Sequence, residues 1–305
     1  MAQNTDRALT GVLLMVGFCL VAPVIDVTSK LAAQTLPAGM VALVRFIGQA
    51  IFMLPVMIVL AGPFALGGRA LGLVVLRAAA FALSTYTFVA ALAVMPIAEA
   101  LAIAFVDSFI LLLLGRIVLG EKVGPRRIAA AGVGFIGTML VVQPSFAEFG
   151  PVALLPLATA FFFALYMLVT RGLAPLMHPV PMQFHTAWIA ALLWGLIVLA
   201  TAGTDLPGLG LAMPSGQVWI WLVLLGFSSA VSHLMISYAL RLAPSTTIAP
   251  LHYLEIASAA VLSFLVFGDF PDAATWTGIG IIVASGLYII HRERLSHRAT
   301  RAQAR

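Results

Sequence analysis

Ten times along this chain an apolar run of about 17–25 residues recurs between short polar breaks, the length that crosses a hydrocarbon core of about 30 Å. The runs fall at 9–29, 38–61, 72–93, 96–115 and 127–144, then at 151–170, 182–202, 218–240, 246–267 and 274–290. With 62% of its residues hydrophobic and 9% charged, the chain lacks the polar surface that a soluble domain of 305 residues requires. Backbone polar groups in lipid must be satisfied within the segment, so runs of this length predict an all-α membrane protein of ten transmembrane helices. Turn residues mark the breaks: Gly62-Pro63, Gly67-Gly68, Gly124-Pro125, Gly150-Pro151, Pro179 with Pro181, Pro214 and Pro271.

Basic residues orient the spans. With the N-terminus inside, the inner side collects Arg7, Arg69, Arg77, Arg116, Lys122, Arg126, Arg127, Arg171, Arg241 and the five arginines from Arg292 to Arg305. The outer side holds Lys30, with Glu148, Asp205, Asp269 and Asp272. The positive-inside rule therefore places both termini in the cytoplasm. The net charge of +5 then reports loop charge and contact with anionic lipid rather than nucleic acid. The basic residues from 292 to 305 read as a cytoplasmic tail against lipid headgroups. The first run carries no small-residue cleavage pattern and continues into Pro23 and Asp26, so it reads as a retained helix. Cys19, the one cysteine, excludes an intrachain disulfide or a cysteine zinc site.

Shifting the first half by 148 positions aligns it with the second. Ala91-Leu92 meets Ala239-Leu240, Pro96 meets Pro244, Gly120 meets Gly268, Gly132 meets Gly280, Asp107 meets Glu255, and Glu121 meets Asp269. Each half has five spans, an odd number, so the halves cross in opposite senses. The charges agree: GRIVLGEKVGPRR is basic, and its partner SFLVFGDFPDAA carries only acids. Inverted halves of this kind underlie many transporters, with the substrate site at their interface. The units predicted are 1–149 and 150–291, followed by the tail 292–305.

The chain resembles the drug/metabolite transporter superfamily in its ten-helix form built from two EamA-type domains. The likeness is carried by Arg45 after Pro37, by ALAVMPIAEALAIAF, by LLGRIVLGEKVGPRRIAAAGVGFIGTMLVV, and by YALRLAPSTTIAPLHYLE with Gly268-Asp269. Asp269 replaces the usual glutamate, and Arg45 meets Leu193 in the shifted half. The resemblance implies a transporter of the bacterial inner membrane that exports amino acids or related metabolites. Its expected partners are a small-molecule substrate, protons as a coupling ion, and membrane lipids, with no cofactor.

Asp107 and Glu255 are the acids nearest mid-membrane. An ionised acid there costs roughly 2.5–3.5 kcal/mol, so each must face protein or water. They read as a proton site or a grip on a substrate amine, or alternatively as protonated packing residues. His252 lies three residues before Glu255 on the same helical face, a spacing that suits a proton-handling pair. Arg45 needs a carboxylate, carbonyls or water; Asp26 is the expected structural partner, and a substrate carboxylate the competing one. Glu99 reads as vestibule lining. Tyr86, Tyr166, Trp188 and Tyr253 lie deep, where their polar atoms need partners, and they either line a cavity or pack. Trp219, Trp221 and Trp276 read as interfacial residues.

Gly132-Val-Gly134-Phe-Ile-Gly137 matches a dinucleotide fingerprint letter for letter, yet lies within an apolar span, where small residues serve helix packing. No HExxH, GxSxG or GxxxxGK[ST] pattern occurs, which argues against an intramembrane enzyme and direct ATP drive. Within the predicted spans Arg45 alone is a clearly intramembrane cation, so a phosphorylated substrate is disfavoured. The leading expectation is alternating-access secondary transport. A passive channel or facilitator for similar solutes is the alternative.

Overall fold

A computed structural model describes residues 2–60, 66–118, 120, 123–204, 206–242 and 251–303, without the side chains of 2–8, 241 and 293–303. Gly62-Pro63, Glu121, Lys122, Asp205 and Pro244 thus lie outside the described residues. The first half comprises α1 (Ala2–Ala33), α2 (Ala38–Val59), α3 (Gly68–Leu92), α4 (Ile97–Ala104), α5 (Asp107–Val118) and α6 (Pro125–Phe149). A 3-10 turn (Gly150–Leu154) leads to α7 (Leu155–Leu173), α8 (Pro179–Ala200), α9 (Val218–Leu242), α10 (Leu254–Phe267) and α11 (Ala273–Gln303).

Eight described stretches are apolar and long enough to cross a bilayer, and Leu254–Phe267 is a shorter apolar helix. One of the eight, Pro125–Leu173, reverses direction at Gly150 (φ 63°) and accounts for two crossings. Among the described residues the fold is therefore all-helical, and these stretches make up the ten crossings of two inverted five-helix repeats. Local sequence explains the ends. Pro125 and Pro179 open α6 and α8, where the missing N–H is no loss. Gly120 (φ 66°) and Gly268 (φ 75°), the repeat-related pair, both take the left-handed conformation just past a half-helix. Asp272 caps α11, accepting from the Thr275 N–H at 2.7 Å, and that bond pulls its carboxyl below the usual range.

Packing obeys the repeat. The 148-residue shift maps α1 to α7, α2 to α8, α3 to α9, α4–α5 to α10, and α6 to α11. Helix α1 packs on α9, and α7 on α3; α1 packs on α10, and α7 on α4–α5; α2 packs on α9, and α8 on α3. Each pair is the image of the other. The self-related pairs α2–α8 and α6–α11 also pack together, as a pseudo-two-fold axis requires.

Small residues set the closest approaches. Gly137 on α6 meets Gly278 on α11, and Gly134 backs onto the Phe109 ring, so these two glycines of the run serve helix packing, while Gly132 faces open space. Gly48 on α2 meets Gly226 on α9 so closely that a Cβ on Gly48 would lie 2.9 Å from the Gly226 Cα. Backbone cannot rotate away as a side chain can. Gly48→Ala is therefore expected to destabilise the protein by about 1–3 kcal/mol, read as a lower Tm in detergent.

Aliphatic side chains such as Leu20, Ile51, Leu199 and Val261 are exposed on the perimeter, where lipid is the solvent. Trp219 and Trp276 are also exposed near helix starts, as interfacial residues should be, whereas Trp221 packs against a buried cluster on α1, α2 and α9.

Candidate functional site: a cavity between two interrupted helices

The span expected over 96–115 is not one continuous helix. Helix α4 stops at Ala104, residues 105–106 form a turn, and α5 restarts at Asp107. The last carbonyls are used in a tightened turn, with Phe105 N to Leu101 O at 3.0 Å and Val106 N to Ile103 O at 3.2 Å. At the repeat-related position Tyr253 interrupts the helix before α10 begins at Leu254. Asp107 and Glu255 thus sit in the first turn of a new half-helix in each repeat. Unpaired N–H groups and the helix dipole favour a negative charge there. Within a bilayer such interruptions persist only where the backbone is buried in protein or lines a cavity.

Here they line a cavity. A void of about 150 Å³ is walled by both interruptions together with α1, α2, α3, α7 and α9. His252 Nε2 lies 2.9 Å from Glu255 Oε2, and its ring packs against Phe18 and Phe105 at centroid separations of 5.6 and 5.1 Å. Asp107 accepts from Ser108 Oγ at 3.0 Å. Asp26 and Arg45 line the same cavity, but among the described residues they form no ion pair, so the expected direct Asp26–Arg45 bridge is not present. Arg45 instead lies over the Phe81 ring, 5.6 Å from its centroid. Phe81, Phe88, Phe105 and Phe163 give the void flat apolar walls.

A second cavity of about 840 Å³ shares Phe18, Asp107, Phe163, His233 and His252 with the first. It is lined by the start of α8 and the 174–179 connection, on the membrane face that carries the N-terminus. On the opposite face an ion pair ties the end of α1 to the end of α10. Lys30 bridges Asp269 at 2.9 Å, donates to the Met95 carbonyl at 3.0 Å and sits over the Phe267 ring at 4.7 Å. Beside this latch the 201–217 connection folds over α2, with Gly39 N donating to Gly208 O at 2.8 Å and Trp194 Nε1 to Gly39 O at 3.0 Å. Lys30→Met is expected to loosen this face by about 1 kcal/mol, raising access from that side to a cysteine at Ser232 roughly fivefold. Thiol labelling on a Cys19→Ser background measures it.

The sequence-predicted residues divide. Asp107, Glu255, His252 and Arg45 meet at the central cavity, and Tyr166 lines the larger one. Tyr86, Trp188 and Glu99 line neither of these two. Tyr86 packs on Trp194 at 4.8 Å, Trp188 bonds His185 at 2.9 Å with 39% of its surface exposed, and Glu99 accepts from Ser145 Oγ at 2.7 Å. Depth in the membrane does not decide which way a helical face points.

Arg77 corrects the sequence reading more sharply. Counted in the sequence among the inner-side charges, near one end of the span 72–93, it lies within α3 with 0% of its surface exposed. Its guanidinium donates to Thr170 Oγ1 at 2.8 Å, to Tyr166 Oη at 2.5 Å, to the Met182 carbonyl at 3.3 Å and to Thr186 Oγ1. It also stacks over the Tyr166 ring at 4.2 Å. Arg45 is therefore not the only buried cation. Only the threonine and tyrosine partners, far away in sequence, separate Arg77 from an ordinary loop arginine.

Known proteins match along nearly the whole chain. A riboflavin transporter of Rhizobium johnstonii is 31% identical over 217 residues, 71% of this chain and 69% of its own length. An S-adenosylmethionine uptake transporter of Rickettsia prowazekii is 28% identical over 278 residues, 89% of each chain. A riboflavin transporter of Brucella anthropi is 24% identical across 92% of this chain and 98% of its own. A solved crystal structure with 19% identity superposes with a TM-score of 0.61 over 94% of this chain and 97% of its own, a likeness of fold. The model of the EamA-like transporter family matches residues 9–143 and again 150–291. This chain is a membrane transporter and belongs to the EamA-like transporter family.

Proposed function

We propose that this chain is a proton-coupled secondary transporter that takes up a small ring-bearing metabolite by alternating access. The observation that carries the reading is the pair of helix interruptions, each with an acid in its first turn, facing one aromatic-walled cavity. A channel would need a path open at both faces, and the Lys30–Asp269 ion pair at one face argues for a carrier. The His252–Glu255 pair, with Asp107 on the same cavity, supplies groups able to exchange a proton as the cavity changes sides.

The resemblance read from sequence implied amino-acid export. The relatives are named for riboflavin transport and for S-adenosylmethionine uptake, so uptake and a flat ring are the substrate features adopted here. Flat phenylalanine faces suit a heteroaromatic ring or an aromatic side chain alike. Purified protein in proteoliposomes, offered radiolabelled riboflavin, S-adenosylmethionine and aromatic amino acids, tests the reading. Saturable, protein-dependent uptake of at least one ring-bearing compound is expected. Transport confined to ringless solutes would contradict it.

The location proposed is the bacterial inner membrane, with both termini cytoplasmic, units 1–149 and 150–291, and a basic tail over 292–305. The larger cavity then faces the cytoplasm. A cysteine at Val123, on a Cys19-free background, is expected to react with a membrane-impermeant thiol reagent only after the cells are opened. Labelling of intact cells would reverse the topology.

A further inference from the structure

We propose that Arg45 and the Ser232 hydroxyl form a carboxylate subsite in the central cavity, so that the transported molecule is a zwitterion. The inference rests on the transport reading above and adds the substrate's charge. Arg45 is 9% exposed, lines the cavity, and has a buried Nε with no hydrogen-bond partner. No carboxylate among the described residues lies within 4.0 Å of it. Ser232, at 1% exposure, lines the same cavity, and its Oγ is likewise unpartnered.

Further orphans lie beside these two. Gln49, one turn beyond Arg45 on α2, leaves both amide atoms unpartnered, as Ser229, one turn before Ser232 on α9, leaves its hydroxyl. The Gly48–Gly226 contact clamps these two helix segments together beside them. Buried polar atoms are almost always hydrogen-bonded, so a run of them on facing helices marks a place where a ligand or water supplies the missing partners. The planar guanidinium matches a carboxylate in a two-point, charge-assisted arrangement.

The rest of the cavity selects among anions. Asp26, Asp107 and Glu255 line it too, against the single Arg45, since Arg77 spends its donors on neutral oxygens outside this void. A phosphate dianion would add negative charge to an acidic wall. A carboxylate is matched by one guanidinium, and a cationic group on the same molecule is matched by the acids. Ring, carboxylate and cationic nitrogen or sulfur together define the class.

Matched ligand pairs test this without any variant. Binding of L-tryptophan and tryptamine, and of S-adenosylmethionine and its decarboxylated form, is measured by calorimetry on the purified protein, with riboflavin as a ring lacking a carboxylate. The carboxylate-bearing member of a pair is expected to bind at least about tenfold tighter. Arg45→Gln should erase that advantage while leaving the amine's weaker affinity in place, and Arg45→Lys should restore part of it. Equal affinities within each pair overturn the subsite, as does an Arg45→Gln variant that keeps the advantage or loses both members alike. Tight binding of riboflavin alone leaves the ring reading intact and removes the carboxylate. Binding of ringless zwitterions that depends on Arg45 keeps the subsite and removes the ring.

Discussion

Glu255→Gln is expected to reduce gradient-driven transport to background while leaving the helices packed, and Asp107→Asn is expected to do the same. Each substitution keeps the shape and hydrogen-bonding reach of the side chain but removes its titration. Glu255 is the hydrogen-bonded partner of His252, and Asp107 lies on the same cavity at the repeat-related helix break. A coupling role predicts lost pH dependence, with substrate exchange partly retained. A substrate-gripping role predicts a raised KM with some coupling preserved. A packing role predicts normal transport and a shifted Tm. Uptake by both purified variants, measured across pH and substrate concentration, distinguishes the three. Wild-type behaviour in both would remove the acids from the mechanism.

Arg77→Met should give the largest loss of stability from a single change in α3. The substitution removes four guanidinium donor contacts, while the Thr170 and Thr186 hydroxyls keep their bonds to the Tyr166 and Met182 carbonyls and Gln183 still reaches the Tyr166 hydroxyl. Four lost charge-assisted contacts at about 1 kcal/mol each, offset in part by the bonds that remain, suggest a net loss of about 3 kcal/mol. Thermal unfolding in detergent reads the effect, and Arg77→Lys, which keeps the charge but not the fork of donors, should fall between. An unchanged Tm in Arg77→Met, together with failed transport, would reassign Arg77 from tying α3 to α7 and α8 to contacting substrate in the larger cavity.

Much of the architecture was legible in the sequence because lipid leaves so few options. Apolar runs of membrane length had to be helices, and the shared spacing of rare residues such as Asp107 with Glu255 and Gly120 with Gly268 marked the repeat. The interruptions were not legible. No glycine or proline marks the turn at Phe105–Val106; it forms where the two repeats meet and the freed backbone faces a cavity. The burial of Arg77 has no signature in the sequence, because it lies near one end of its span, where hydropathy makes surface and buried arginines alike, and its acceptors stand 89 to 109 residues away. The Lys30–Asp269 latch joins residues 239 apart, a distance that no local pattern encodes. Tyr86 and Trp188, which the sequence left between cavity lining and packing, pack on Trp194 and bond His185, and Glu99 bonds Ser145; residue type and depth alone do not choose between the two roles.

We propose that two interrupted helices, meeting at one cavity, make this chain a coupled carrier. Accumulation against a gradient tests it most directly. The purified protein in sealed proteoliposomes, given an imposed pH difference and the ring-bearing compound it takes up, is expected to concentrate that compound above equilibrium. Collapsing the gradient with a protonophore should then release the excess. Equilibration to equal concentrations on both sides, indifferent to the pH difference and to the protonophore, would instead show a passive pathway and contradict the account.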